Sequence, residues 1–263
     1  MSEATTDPST VTHAGPAAVM PPKAETKQRF VLGVSGASGA SYALRTLEQL
    51  LLAGHEVHLV VSDYGKRLLY DEADITRIDL PDLLPHLVRE SDRPEPKAAA
   101  STSTGTRRAA LSGLPAHAPD GYDAERDAGE LESRLFIHPH KDVGAVIASG
   151  SFLHSGMVVL PCSSTSLGAI ATSAGSNLLT RAAMVTLKER RPLIVCHRET
   201  PVNLVDIENM RTLTLAGAIV CPTNPGLYLR PRTIFEMIDF MAGKVLDLLH
   251  VEHGLDTRWR DEK

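Results

Sequence analysis

Phe30-Val-Leu-Gly-Val-Ser-Gly-Ala-Ser-Gly-Ala-Ser-Tyr-Ala-Leu-Arg45 holds an apolar run, Phe30 to Val34, that breaks into Ser35-Gly-Ala-Ser-Gly39 and then into an amphipathic pattern. The run predicts a strand, the small residues a tight turn, and the pattern a helix. A helix start offers unpaired N–H groups and the positive end of a dipole, which favour a phosphate. Ser35 and Ser38 add hydroxyl donors. The first unit of the fold therefore reads as a nucleotide or flavin phosphate cradle. A second reading stands beside it, in which the small residues only let strand and helix pack closely.

The glycines Gly33, Gly36 and Gly39 are spaced by three, which is not the G-x-G-x-x-G dinucleotide fingerprint. The next apolar run, Glu56-Val-His-Leu-Val-Val-Ser62, ends in a serine with Asp63 just beyond it. A dinucleotide fold would place an acid there for the ribose hydroxyls. Ser62 suits a mononucleotide phosphate or a ribityl chain better, and Asp63 keeps the dinucleotide alternative open.

The chain has 263 residues, with 27 basic and 32 acidic side chains and a formal net charge of -5. No basic patch of the nucleic-acid-binding kind stands out, so no nucleic-acid partner is expected. No apolar stretch reaches membrane-span length, and Met1–Lys27 lacks the pattern of a secretory signal. Cys162, Cys196 and Cys221 form no C-x-x-C pair and read as small buried hydrophobes in a reducing compartment. A cytoplasmic protein is expected.

Residues 1–27 are rich in Ala, Pro, Thr and Ser without periodicity and read as a disordered N-terminal tail. Residues 28–263 read as one flavin-binding Rossmann-like domain, with a flexible insertion over 91–128. The remainder alternates. Strands are expected over 30–35, 56–62, 157–160, 192–197 and 218–221. Helices are expected over 40–53, 64–72, 164–174, 178–188, 201–216 and 233–249, with a short one near 80–89. Such alternation predicts an α/β fold, three layers around a buried parallel sheet. Ligands in these sheets bind beyond the carboxyl ends of the strands, and that rule picks out the segments to read closely.

Pro161-Cys-Ser-Ser-Thr-Ser-Leu-Gly168 places four hydroxyl residues, Ser163, Ser164, Thr165 and Ser166, at a helix start. One would cap the helix; four suggest a second polar cradle, with a soluble capping loop as the alternative. Arg181 and Lys188 are seven residues apart and share one helix face. The basic run Lys188-Glu-Arg-Arg191 by itself reads as a solvated helix end. Arg198-Glu199 follows a buried strand at the ligand rim. It supplies either a surface ion pair or an anion clamp beside a proton donor. Glu72 is a second candidate carboxylate, or a solvated helix end. Tyr228, in the loop after the last strand, can pack an apolar group and donate its hydroxyl.

Gly33-Val-Ser-Gly-Ala-Ser-Gly-Ala40, Leu160-Pro-Cys-Ser163, Asn177-Leu-Leu-Thr-Arg-Ala-Ala183, Leu187-Lys-Glu-Arg-Arg-Pro-Leu193, Arg198-Glu-Thr-Pro201 and Pro225-Gly-Leu-Tyr228 together resemble the UbiX-type flavin prenyltransferases. The match covers residues 29–62 and 149–259. The tail and the 91–128 segment depart from the compact length of that family. The resemblance implies a flavodoxin-like Rossmann fold assembled as a homododecamer. It implies transfer of a dimethylallyl group from dimethylallyl monophosphate to N5 and C6 of reduced FMN, without a metal. The prenylated FMN would serve a UbiD-type decarboxylase.

Carried onto this chain, the resemblance places Gly36, Ala37, Ser38, Ser62, Ser163, Ser164, Thr165, Ser166 and Arg198 on FMN, with Arg181 near the site. Lys188, Tyr228 and Lys244 fall around the donor phosphate, and Trp259 is a C-terminal aromatic that closes the site. Where the family often has arginine, Lys244 keeps the charge but loses the bidentate fork. Glu199 matches the acid near the leaving phosphate, and Glu72 and Ser38 lie where the flavin N5 proton is handled. The catalytic set is thus Glu199, Glu72, Ser38 and Lys188. Fixed cations then do what magnesium does for a diphosphate, each charge-assisted bond contributing roughly 1.5–3 kcal/mol. Two other readings remain: an FMN-dependent decarboxylase of the cysteine-decarboxylase fold, and a non-catalytic FMN carrier.

Overall fold

The computed structural model describes residues 20, 26–93 and 118–258. Strands β1 (Arg29–Val34), β2 (Glu56–Val61), β3 (Leu135–His138), β4 (Gly156–Cys162), β5 (Leu193–His197) and β6 (Ile219–Val220) make one sheet. All pairs are parallel, in the order β3-β2-β1-β4-β5-β6. Setting β3 aside, the order is that of flavodoxin-like sheets; β3 adds an edge strand outside β2. β1, β2, β4 and β5 are buried nearly end to end, as strands covered on both faces must be.

The helices are α1 (Ala40–Leu52), α2 (Asp63–Ala73), α3 (Leu80–Leu83), α4 (Ala124–Glu132), α5 (Ser164–Ala171), α6 (Leu178–Lys188), α7 (Leu204–Leu215) and α8 (Ile234–Leu248). One apolar cluster joins Leu44, Leu47 and Leu51 of α1 and Val245 and Leu246 of α8 to one face of the sheet. A second joins Leu167 of α5 and Leu178 and Ala182 of α6 to the other face. Each fully buried leucine contributes about 1.5–3 kcal/mol. These two clusters are the three-layer architecture that the alternation predicts.

The differences from expectation have local causes. Ser62 is not the last residue of a strand: its hydroxyl accepts from Gly65 N at 2.9 Å and caps α2. The third expected strand, 157–160, is longer and runs to Cys162, and α5 stops at Ala171 rather than Ala174. The segment after His197 stays non-helical until Asn203, which forms a capping box with Asp206. β3 and α4 escape the pattern reading. β3 is four residues long and only half buried, so it shows no clean periodicity. α4 begins within the segment expected as an insertion. Of that segment, residues 94–117 lie outside the described residues. On the described side, Tyr122 packs on the core and donates its hydroxyl to Leu87 O at 2.6 Å. Residues 1–19 and 21–25 of the expected tail also lie outside the described residues.

Candidate functional site

The chain leaves β1 on one side of the sheet for β2, and leaves β4 on the other for β5, so the carboxyl ends of β1 and β4 flank a crevice. Ser35, fully buried, ties the two ends together. Its N–H donates to Pro161 O at 3.2 Å, its hydroxyl to the same oxygen at 2.9 Å, and Ser163 N–H donates to the Ser35 hydroxyl at 2.8 Å. Beyond this knot Gly36, Ser38 and Thr165 are exposed, and Ala37 is buried. Gly36 allows a close approach: a Cβ there would lie 2.4 Å from Tyr64 Cβ. The small residues of the turn therefore do serve packing, and the same packing leaves the turn open to the crevice.

α1 begins at Gly39, which has no side chain to cap it and sits at φ 131, a backbone region that glycine favours. The cap comes from Glu72, whose Oε2 accepts from Gly39 N at 3.0 Å and Ala40 N at 2.8 Å. This corrects the reading of the first helix as a free phosphate cradle: two of its leading amides are already paired with a carboxylate. It also rules out a merely solvated Glu72. Tyr42 lies close by. Burial first, and then Glu72, push its phenol above the ordinary range, while Arg198 acts in the opposite sense. Arg198 donates from Nε to Ser38 O at 3.3 Å and from its backbone to Cys162 O at 3.1 Å. Ser38, Glu72, Tyr42 and Arg198 thus meet at one rim. Nothing in the sequence pattern singled out Tyr42; its partners come from α2 and from the loop after β5.

The second helix start is differently built. Ser163 caps α5 through Ser166 N at 3.3 Å, the Ser163 hydroxyl reaches the Ser166 hydroxyl at 3.3 Å, and the Ser164 hydroxyl meets His197 Nε2 at 3.1 Å. Burial holds the His197 pKa below the usual imidazole value. The capping reading of the four hydroxyls is met by two of them. Ser163 and Ser166 serve the cap, while Thr165 faces solvent at the positive end of the α5 dipole. Asp63, the residue that kept a dinucleotide open, pairs with His140 at 3.2 Å and with Lys141 at 4.0 Å.

The remaining expected residues do not gather at this rim within one protomer. Lys188 ends α6, just before the amino end of β5; Glu199 follows its carboxyl end. The strand between them, β5, is five residues long, roughly 16 Å at about 3.3 Å per residue. Lys188 pairs with the adjacent Glu189 and, with Arg181, lines a cavity of about 340 Å³ walled by residues 143–150. The shared helix face of Arg181 and Lys188 is as expected. Glu199 is exposed and accepts from Thr200 N at 3.1 Å rather than pairing with Arg198. Tyr228 and Lys244 line a third place, a cavity of about 220 Å³ shared with Phe240, Asp247 and Arg258. The Tyr228 ring meets Phe240 edge-on at 5.6 Å. Arg258, which carried no sequence signal, is held in that cavity by Asp247 at 2.6 Å. Trp259 lies outside the described residues.

The family model described as Flavoprotein matches residues 19–251. The chain is 34% identical to the flavin prenyltransferase UbiX of Halalkalibacterium halodurans over 234 residues, which is 89% of this chain and 94% of that protein. It is 37% identical to the flavin prenyltransferase UbiX of Thauera aromatica over 231 residues, 88% of this chain and 93% of that one. Among solved structures it superposes on AnUbiX (PadA1) in complex with FMN and dimethylallyl pyrophosphate, with TM-score 0.66 and 27% identity over 90% of this chain and all of that one. A dodecameric FMN-dependent UbiX-like decarboxylase from Escherichia coli O157:H7 gives TM-score 0.61 and 28% identity over 88% and 98% of the two chains.

Proposed function

We infer that this chain, which belongs to the Flavoprotein family and within it to the UbiX flavin prenyltransferases, joins a dimethylallyl group to N5 and C6 of reduced FMN. The observation that carries this reading is the crevice between β1 and β4. There a knot of serines, an uncharged helix start and one arginine converge in a chain that matches the UbiX proteins along nearly their whole length.

The donor set fits a flavin mononucleotide. Gly36, Ala37 and Ser38 present backbone and hydroxyl groups, Ser62 keeps a hydroxyl proton to donate while it caps α2, and Ser163 to Ser166 surround the start of α5. Arg198 adds a fixed positive charge. The phosphate belongs at α5 rather than α1, because Glu72 already closes α1. Reduced FMN supplies the electron-rich ring that accepts the prenyl group. Glu72 holds the Ser38 turn through Gly39 N and Ala40 N, and in this reading Glu72 and Ser38 handle the N5 proton.

Lys188, Tyr228 and Lys244 hold the donor, with Arg181 supporting Lys188 and Trp259 closing over it. Lys244 and Tyr228 share their cavity with Arg258, which Asp247 pairs, and the donor in this reading is dimethylallyl monophosphate. Glu199 protonates the departing phosphate. Since Lys188 and Glu199 sit at opposite ends of β5, the complete site forms between copies of the chain. Large apolar side chains lie uncovered at both edges of the sheet, Phe136 and Ile137 of β3 each at 41% exposure on one and Leu204 and Leu215 of α7, beside β6, at 71% and 73% on the other. Such faces suit subunit contacts, and the assembly is a homododecamer. The product goes to a UbiD-type decarboxylase. Among the described residues no helix is long and apolar enough to cross a membrane, and the free thiols, two buried and one partly open, fit the cytoplasm.

The test is anaerobic incubation with reduced FMN and dimethylallyl monophosphate, followed by flavin mass measurement. A gain of one five-carbon prenyl unit is expected. Recovery of unmodified FMN alone, from protein that binds FMN, would remove the assignment.

A further inference from the structure

Cys196 and Cys221 are neighbours across the β5–β6 edge. Ile194 pairs with Ile219 and Val195 with Val220, and Cys221 N–H continues the ladder by donating to Val195 O at 2.9 Å. The next step along both chains sets the two cysteines side by side. Adjacent strands run about 4.8 Å apart, inside the Cα separation of roughly 4.4–6.8 Å that a disulfide bridges. Both side chains belong to the apolar cluster under α1 and α8, and the two thiols interact directly. Their surroundings differ. Cys196 is fully buried, and Cys221 is partly open and lies near the Lys244 ammonium. The Cys196 thiol and, more weakly, Lys244 bring Cys221 down to about 7, while its hydrogen bond to Cys221 and burial push Cys196 up. One thiol is thus an accessible nucleophile and the other a protected partner, the arrangement of an attacking and a resolving cysteine.

We infer that Cys196 and Cys221 form a peroxide-responsive dithiol site, in which Cys221 attacks and Cys196 resolves. The Cys221 thiolate attacks one oxygen of hydrogen peroxide, breaking the O–O bond to give a sulfenic acid and hydroxide. The Cys196 sulfur then displaces the sulfenic oxygen; the disulfide forms, and the Cys196 proton leaves with that oxygen as water. Two electrons pass from the thiol pair to the peroxide. The bond fixes the base of the 221–233 segment, which carries Tyr228, to the buried sheet, and it removes the thiolate near Lys244. Cys162, fully buried at the end of β4, stays reduced and serves as the internal control.

The experiment treats the full-length protein with hydrogen peroxide, denatures it and alkylates it with iodoacetamide. The expected result is an intact mass lower by two hydrogens before alkylation, one alkylation instead of three, and a peptide joining Cys196 to Cys221. Dithiothreitol restores three alkylations. C162S keeps the bridge; C221S and C196A lose it. In the untreated protein, K244M slows Cys221 alkylation about fivefold at neutral pH. Three alkylations of the peroxide-treated wild type, or Cys221 found only as sulfinic acid, would overturn the site. These readouts are taken without prenyl donor or flavin, so they stand or fall separately from the prenyl-transfer reading.

Discussion

Glu72 Oε2 accepts a hydrogen bond from Ala40 N at 2.8 Å, so the end of one helix caps the start of another. The interaction closes a helix start that glycine leaves open and fixes the Ser38 turn at the crevice. It also pairs two leading amides of α1 with a carboxylate, whereas the start of α5 is capped by the neutral Ser163 hydroxyl.

Glu72→Gln keeps an acceptor oxygen but removes the charge from the α1 start. A loss of about 1 kcal/mol is expected, seen as a fall of roughly 2–4 °C in Tm by calorimetry. Prenyl transfer falls far more than FMN affinity. An unchanged Tm would show that the carboxylate does not hold the helix.

Arg198→Ala removes the guanidinium from the Ser38 rim. Charge-assisted bonds of about 1.5–3 kcal/mol correspond to a loss of roughly tenfold to a hundredfold in FMN affinity, measured by flavin fluorescence titration. Arg198→Lys recovers part of it, because a lysine keeps the charge without the fork. FMN affinity equal to wild type in Arg198→Ala would take Arg198 out of the cradle.

Lys188→Ala and Glu199→Gln each lose prenyl transfer. Because the two residues stand at opposite ends of β5, a complete pair comes from two copies. Mixed oligomers reassembled from equal amounts of both variants therefore regain about a quarter of wild-type activity. Absence of any recovery in oligomers shown to be mixed would contradict a shared site.

His154 is held near a pKa of about 4, chiefly by burial and further by Arg191 and His58, which outweigh the hydrogen bond between its Nδ1 and Gly156 O that favours the cation. The unfolded chain binds a proton there near 6.5, so stability is complete above that pH and is lost as pH falls toward 4. Allowing for partial exposure, the loss is about 2 kcal/mol. His58 and His138, also lowered by burial, act in the same direction. Urea unfolding between pH 7 and pH 4 checks this, and His154→Gln flattens the profile. A wild-type midpoint constant across that range would refute it.

The alternation of apolar runs with amphipathic stretches determined the parallel three-layer fold, because buried parallel strands and their covering helices each impose their own period on the chain. The family motifs named the residues expected around a flavin and a donor phosphate, and of these Ser38, Glu72 and Arg198 meet at one rim. The short half-buried β3 and the helix at Ala124 left no period to read. Tertiary structure alone decided which helix start Glu72 closes, that Tyr42 joins Arg198 at the rim, that Arg258 shares a cavity with Lys244, and that Lys188 lies at the far end of β5 from Glu199. Each of these depends on contacts between segments distant in the chain, or on which end of a strand a residue occupies. Local spacing carries the period of an element, but not which distant side chain will meet its ends.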